Sequence, residues 1–311
     1  MNSLRFNPEV GAFGRHESFP LRYSWLPRGF SAAKEDPTIF ESDEATVVLG
    51  VGKNMVRSIR YWLLATRMLE AVDLKLQPTE LGEQVFGEQG WDRFLEDEAT
   101  IWLLHWLLAT NPAQSTVSFY FFNFFHKFSF TAQEAQTAFL DFLSGTMRTR
   151  YAATTAKKDI AVLLRMYIKS RSVGGTPTEE LLDSPLSSLG LINHFSESRS
   201  YQSALRPRPD LPVEILAFAV GSLFDEMGLA QLPIEMLLHT RDGWPAPGTI
   251  FRLTENGLLS KLEELVALSP DEWDLRETAG LHQLYRLAES PPINALAAYY
   301  ASHIEPMENA A

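Results

Sequence analysis

No cysteine occurs among the 311 residues. That excludes disulfides, thiolate nucleophiles, Cys-ligated iron–sulfur clusters and Cys-type zinc fingers, and it fits a reducing, cytoplasmic setting. No apolar run reaches the roughly 18 residues that a membrane-spanning helix needs. The greasiest windows are Ile101 to Ala109, interrupted by His105, and Val117 to Phe125, which ends at His126 and Lys127. Both read as core, so no membrane contact is expected. Met1 to Phe13 lacks a basic stretch followed by an apolar one, so no targeting segment is expected. Gly and Pro, 18 of each, are too few for a collagen-like or low-complexity chain. What remains is ordinary globular composition, 45% hydrophobic and 21% charged, at a length that suggests about two domains.

Basic residues are in the minority, 27 against 39 acidic, for a net charge of −12. That argues against nonspecific polyanion binding by the whole molecule. The distribution is uneven. Gly50 to Met68 holds Lys53, Arg57, Arg60 and Arg67 and no acid. Met147 to Arg171 holds Arg148, Arg150, Lys157, Lys158, Arg165, Lys169 and Arg171 against Asp159 alone. From Ala204 onward seven basic residues face sixteen acidic ones. Two local positive segments therefore sit in an acidic protein, and a local basic face can contact phosphate despite the net charge.

The most readable pattern runs from Ser42 to Phe86. Glu44 to Leu49 is a short helical segment, Gly50-Val51-Gly52 a tight turn, and Asn54 to Met68 a helix. Val56, Ile59 and Leu63 recur at three- and four-residue spacing on one face. Lys53, Arg57 and Arg60 form a second stripe about 120° away. Val72 to Leu76 alternates like a strand, and Pro78 and Thr79 open a helix from Glu80 to Phe86. This order is that of a winged helix-turn-helix, whose second helix enters a DNA groove. Gly52-Lys53 also invites comparison with a P-loop, but Val47 stands where the first glycine is needed and Asn54 where the hydroxyl is needed.

The central part reads as helical: Leu95 to Ala109 with an acidic first turn (Glu96, Asp97, Glu98), a Phe-dense aromatic seam at Phe119 to Phe130, a capping box at Thr131 to Glu134 opening a helix to about Leu143, and a helix from Ala156 to Ile168. Ser170 to Pro177 reads as a loop, with Thr176 capping a further short helix. Ser196 to Pro212 reads as a linker. Beyond it come helices Val213 to Met227, Leu232 to Leu238 and Glu255 to Leu268, a strand at Thr249 to Leu253, and a capping sequence at Ser269 to Glu272. The expected fold is mainly α, in three parts: 1–90 with an N-terminal winged helix, a helical middle at 91–205, and an acidic, winged-helix-like module with short strands at 206–311.

Catalytic constellations are scarce. The seven His form no H-E-x-x-H or H-x-H pattern, and no dinucleotide fingerprint or nucleophile elbow appears. Arg15-His16-Glu17 pairs a His with a carboxylate and so is a candidate acid–base group; local anchoring of the N-terminal segment is the simpler reading. No catalytic residue, cofactor or metal site is assigned, and a binding protein is favoured over an enzyme.

Several blocks resemble one family. They are Phe13 to Leu26 (FGRHESFPLRYSWL), Leu49 to Trp62 (LGVGKNMVRSIRYW), Leu95 to Glu98 with Trp102 to Trp106, Ser184-Pro185-Leu186 with Leu189-Gly190-Leu191, and Pro247 to Leu253 (PGTIFRL). Together they are similar to the domain-of-unknown-function family 4007. The resemblance implies an accessory protein of a bacterial anti-phage or DNA-modification island. Such proteins are encoded beside phosphoadenosine phosphosulfate reductase-like sulfurtransferases of the kind that place phosphorothioates in DNA. The expected ligand is duplex DNA, modified or not, at Lys53, Asn54, Arg57, Ser58 and Arg60, with Arg15, His16 and Arg22 as flanking phosphate contacts. The expected protein partner is the sulfurtransferase or another island protein. The alternatives are an adaptor that binds no DNA and, less favoured, a nuclease.

Overall fold

The computed structural model describes residues 3–73, 75–169, 184–278 and 280–303. The loop and helix expected at Ser170 to Glu179 lie outside them. The chain is helix-rich with small antiparallel sheets and divides into two compact units, Met1–Ala204 with Gly243–Pro245, and Leu205–Asp242 with Ala246–Ala311.

The first unit begins with α1 (Trp25–Glu35), α2 (Ala45–Val48) and α3 (Lys53–Ala65), followed by strands β1 (Leu69–Val72) and β2 (Lys75–Pro78) and helix α4 (Glu80–Phe86). The two α3 stripes are as the spacing requires: Val56, Ile59 and Leu63 are buried, while Lys53 and Arg57 are exposed and Arg60 half-buried. α1 packs on that apolar face through Gly29, where an added Cβ would lie 2.4 Å from Ile59 Cγ2 and 2.7 Å from Leu63 Cδ1. The single strand expected at Val72 to Leu76 is instead an antiparallel hairpin, Leu69 opposite Pro78 and Val72 opposite Lys75. Asp73 turns the chain at φ 48° without a glycine, so the usual turn signal is missing from the sequence. α4 opens as expected at Thr79, whose hydroxyl accepts from the Gly82 N–H and donates to the Arg67 carbonyl.

The centre of this unit is α5 (Glu98–Ala109) and α6 (Thr116–Phe124), then β3 (Ser129–Phe130), α7 (Ala132–Thr146) and α8 (Ala153–Tyr167). α5 is buried from Ala99 to Ala109, which suits a helix that is apolar all round. Asp97 caps it through the Ala99 N–H, so of the acidic trio only Glu98 lies in the first turn. The Phe-rich stretch is core: Phe122 packs 4.5 Å from His105 and 4.8 Å from Tyr167, and Phe121 and Phe125 meet Phe130. The capping box is present, Glu134 N–H to Thr131 Oγ1 at 3.2 Å and Thr131 N–H to Glu134 Oε2 at 2.7 Å. Strands β4 (Asn193–Phe195) and β5 (Ser200–Gln202) complete a sheet of order β3-β5-β4. The stretch expected as linker therefore contains a central strand.

The second unit runs α9 (Val213–Met227), β6 (Gln231–Pro233), α10 (Ile234–Leu238), α11 (Pro247–Ile250), α12 (Glu255–Leu268), β7 (Trp273–Thr278), β8 (Leu281–Arg286) and α13 (Ile293–His303). Its antiparallel sheet has the order β6-β8-β7. Thr249 to Leu253 is not a strand. Pro247 starts a helical turn closed by Ile250 N–H to Ala246 O, and Leu253 forms only a lone bridge to Arg206. Nor does Ser269 to Glu272 cap a helix: the chain turns there, with Glu272 and Trp273 N–H both donating to Ser269 O, and enters β7.

Candidate nucleic-acid interface

α3 begins at Gly52, whose extended ψ of 159° turns the chain into the helix. No acid sits in its first turn, so Lys53 and Asn54 stand exposed at a dipole end that attracts anions. Each outward cation has a carboxylate in reach. Lys53 Nζ is 2.8 Å from Asp43 Oδ1, Arg57 Nη1 3.9 Å from Glu17 Oε1, and Arg60 Nε 3.7 Å from Glu41 Oε1. The Lys53 hydrogen bond, then its charge, hold the Asp43 carboxyl below its usual pKa. Such exposed pairs contribute little and are screened by salt, so a phosphate can replace the carboxylate at small cost.

Five of the expected contact residues are available on the surface: Arg15, Lys53, Asn54 and Arg57 are exposed, and Arg60 partly so. Arg22 is half-buried, with its guanidinium 5.0 Å from the Trp25 ring. Ser58 and His16 are buried, at 0% and 3% exposure, and so are withdrawn from any groove contact. Ser58 lies one position from the apolar stripe, and its Oγ has no hydrogen-bond partner.

His16 has a different task. Its Nε2 lies 2.9 Å from Asp159 Oδ1 on α8, and its Nδ1 accepts from the Ser18 N–H at 3.1 Å. An Nδ1 that accepts carries no proton, so the hydrogen is on Nε2 and is given to the carboxylate. Asp159 also accepts from the Gly14 N–H at 3.0 and 3.2 Å. The imidazole stacks on Trp62, ring centroids 6.0 Å apart. Both ring nitrogens are occupied within the protein, so His16 anchors the loop and has no lone pair to offer a substrate. Burial, then the charge of Asp159, push the neighbouring Tyr61 phenol up.

The loop Gly14–Ser18 joins elements that the sequence keeps far apart. Arg57 of α3 approaches it at Glu17, and Arg165 of α8 donates to Ser18 O at 2.7 Å. Gly14, Glu17 and Ser18 all have positive φ, at no cost for the glycine but with strain at Glu17 and Ser18 that these bonds hold. Asp159 and Arg165 were not singled out as site residues. The signal for Asp159 was available: with Ala156, Ile160 and Leu163 it falls on the buried face of α8, where an acid requires a partner. Among the described residues no group of three His, Asp or Glu is placed to hold a metal ion, and no helix is long and apolar enough to cross a membrane.

These features define a helix-rich protein with small antiparallel sheets and a cationic helix face braced by a buried His–Asp pair. The chain belongs to the family described as protein of unknown function (DUF4007), whose model matches residues 13–300. It is similar to an SspB crystal structure, at 26% identity and TM-score 0.84 over 96% of this chain and 91% of that one. It is also similar to a magnesium ion-bound SspB crystal structure, at 25% identity and TM-score 0.85 over 97% and 92%. No curated protein sequence matches.

Proposed function

We propose that this protein is a non-catalytic, cytoplasmic DNA-binding accessory of a bacterial phage-defence or DNA-modification system, and that α3 is its DNA-contacting helix. The observation that carries the reading is the segregation of α3: cations at 53, 57 and 60 outward, apolar residues at 56, 59 and 63 inward. The surrounding order supports a winged helix-turn-helix, with α1 and α2 before α3 and the β1–β2 hairpin after it as the wing. The second unit supports a winged-helix-like reading too, through the order α9-β6-α10-α11-α12-β7-β8 and the sheet order β6-β8-β7. Its helix in the corresponding place, α12, exposes Glu255, Glu263 and Glu264, which repel phosphate and suit a protein partner such as a phosphoadenosine phosphosulfate reductase-like sulfurtransferase.

Fluorescence anisotropy of the purified protein on labelled duplexes, with and without backbone phosphorothioates, tests the reading. Binding that weakens steeply with salt is expected, since each neutralised phosphate adds about −0.9 to the log–log slope. A preference for the modified duplex identifies a reader of the sulfur mark. No binding at low salt overturns the proposal.

A second reading, an adaptor that binds no DNA, is favoured by the carboxylate beside each α3 cation and by the exposed Val47 and Val48 on α2. It predicts co-purification with a neighbour and no retention on DNA. Because a similar structure is magnesium ion-bound, the same samples with magnesium, run on a denaturing gel, test the nuclease alternative.

A further inference from the structure

We infer that α8 supplies a second phosphate-contacting element, so that one duplex lies across α3 and α8 with the Gly14–Ser18 loop between them. This rests on the DNA-binding reading of α3 and adds residues to it. α8 carries Lys157, Lys158 and Arg165, all exposed, and a single acid, Asp159. Asp159 is 2% exposed and turned inward to His16 and Gly14. Burying the one carboxylate leaves the outward face of α8 purely positive.

α3 and α8 differ in this respect. The α3 cations each have a carboxylate within 4 Å, whereas among the described residues Lys157, Lys158 and Arg165 have none. The potential over α8 is therefore less screened, although α8 lies outside any helix-turn-helix pattern.

Position links the two helices. Arg57 of α3 and Arg165 of α8 reach adjacent residues of the same loop, Glu17 and Ser18. Arg15 is exposed on that loop. Lys158 and Arg165 are seven residues apart, two helical turns, and so share one face about 10 Å in length. Lys53, Arg57, Arg15, Arg165, Lys157 and Lys158 are the exposed cations that the two helices and the loop present. A polyanion with several phosphates on a rigid frame can meet both helices at once, and a duplex supplies it.

The test compares wild type, Arg57→Ala/Arg60→Ala and Lys157→Ala/Lys158→Ala on a fluorescein-labelled duplex across a salt series, with circular dichroism to check folding. Lys157 and Lys158 are chosen because among the described residues their side chains make no hydrogen bond or ion pair, whereas Arg165 holds the loop. Losing two phosphate contacts should reduce the log–log salt slope by about 1.8 and weaken binding at low salt. If wild type binds and the α3 variant is impaired while the α8 variant matches wild type in affinity and slope, the α8 inference falls and the α3 reading stands. If the α8 variant alone is impaired, the α3 site falls, and with it the inference of one duplex across both helices. If wild type shows no salt-dependent binding, both fall together.

Discussion

His16 and Asp159 are 143 residues apart in the chain and 2.9 Å apart in the fold. The carboxylate receives the imidazole Nε2–H and the Gly14 N–H, and further along α8 Arg165 donates to Ser18 O of the same loop. Asp159→Ala leaves both donors buried without an acceptor. The expected cost is about 1–3 kcal/mol or more, read as a lower urea midpoint. An unchanged midpoint would show that the pair does not secure the loop.

Ser58→Ala should behave oppositely. The Ser58 hydroxyl is buried and unpartnered, so removing it also removes a desolvation cost. Thermal stability should hold or rise by up to about 1 kcal/mol, and DNA affinity should not change. A loss of affinity in the folded variant would place Ser58 in the interface despite its burial.

Gly82→Ala should destabilise the junction of α3, the hairpin and α4. A Cβ at Gly82 would fall 2.1 Å from the Met68 carbonyl oxygen, and backbone cannot move aside as a side-chain tip can. A loss of about 1–3 kcal/mol is expected from such overpacking. A melting temperature equal to wild type would refute the close approach.

Acid should unpick α7. The Lys127 and Thr131 hydrogen bonds lower the Glu134 carboxyl from 4.5 to about 2. With the folded value depressed, the stability it lends is complete above pH 4.5 and is lost as pH falls through about 2. Glu134→Gln should flatten the stability profile across that window, in denaturant titrations at successive pH values. At the alkaline end the sign reverses. Burial, followed by the nearby acids, raises the Tyr61 and Tyr120 phenols above 10.0, so their contribution is full below pH 10 and declines as pH climbs through the raised values. Tyr61→Phe should remove part of that decline.

The helices were legible wherever periodicity and caps coincided. The two faces of α3, the Thr79 cap and the Thr131–Glu134 box follow from spacing alone. The hairpins were not. β1–β2 turns at Asp73, which carries no glycine signal, and β7–β8 follows a Ser-Pro-Asp-Glu run that also suits a helix start. α11 was hidden because Thr249, Ile250 and Phe251 favour strands, yet Pro247 fixes the first helical φ and the turn closes behind it. Of the candidate site, the exposed cations were readable from charge and period. The withdrawal of Ser58 and His16 was not. Ser58 is a polar residue beside the apolar stripe whose burial the spacing of the stripe does not require, and the withdrawal of His16 depends on Asp159 of α8, which lies far downstream.

That dependence has a temporal side. During synthesis the Gly14–Ser18 loop leaves the ribosome long before the α8 residues that hold it. Until Asp159 and Arg165 have been translated, the loop has only its own turn bonds and the Arg57–Glu17 pair, and the Gly14 N–H and the Ser18 carbonyl lack their α8 partners. The cationic surface is thus completed late, after more than half the chain has been made, and a nascent or truncated N-terminal piece would carry the α3 charges without the scaffold that aligns them.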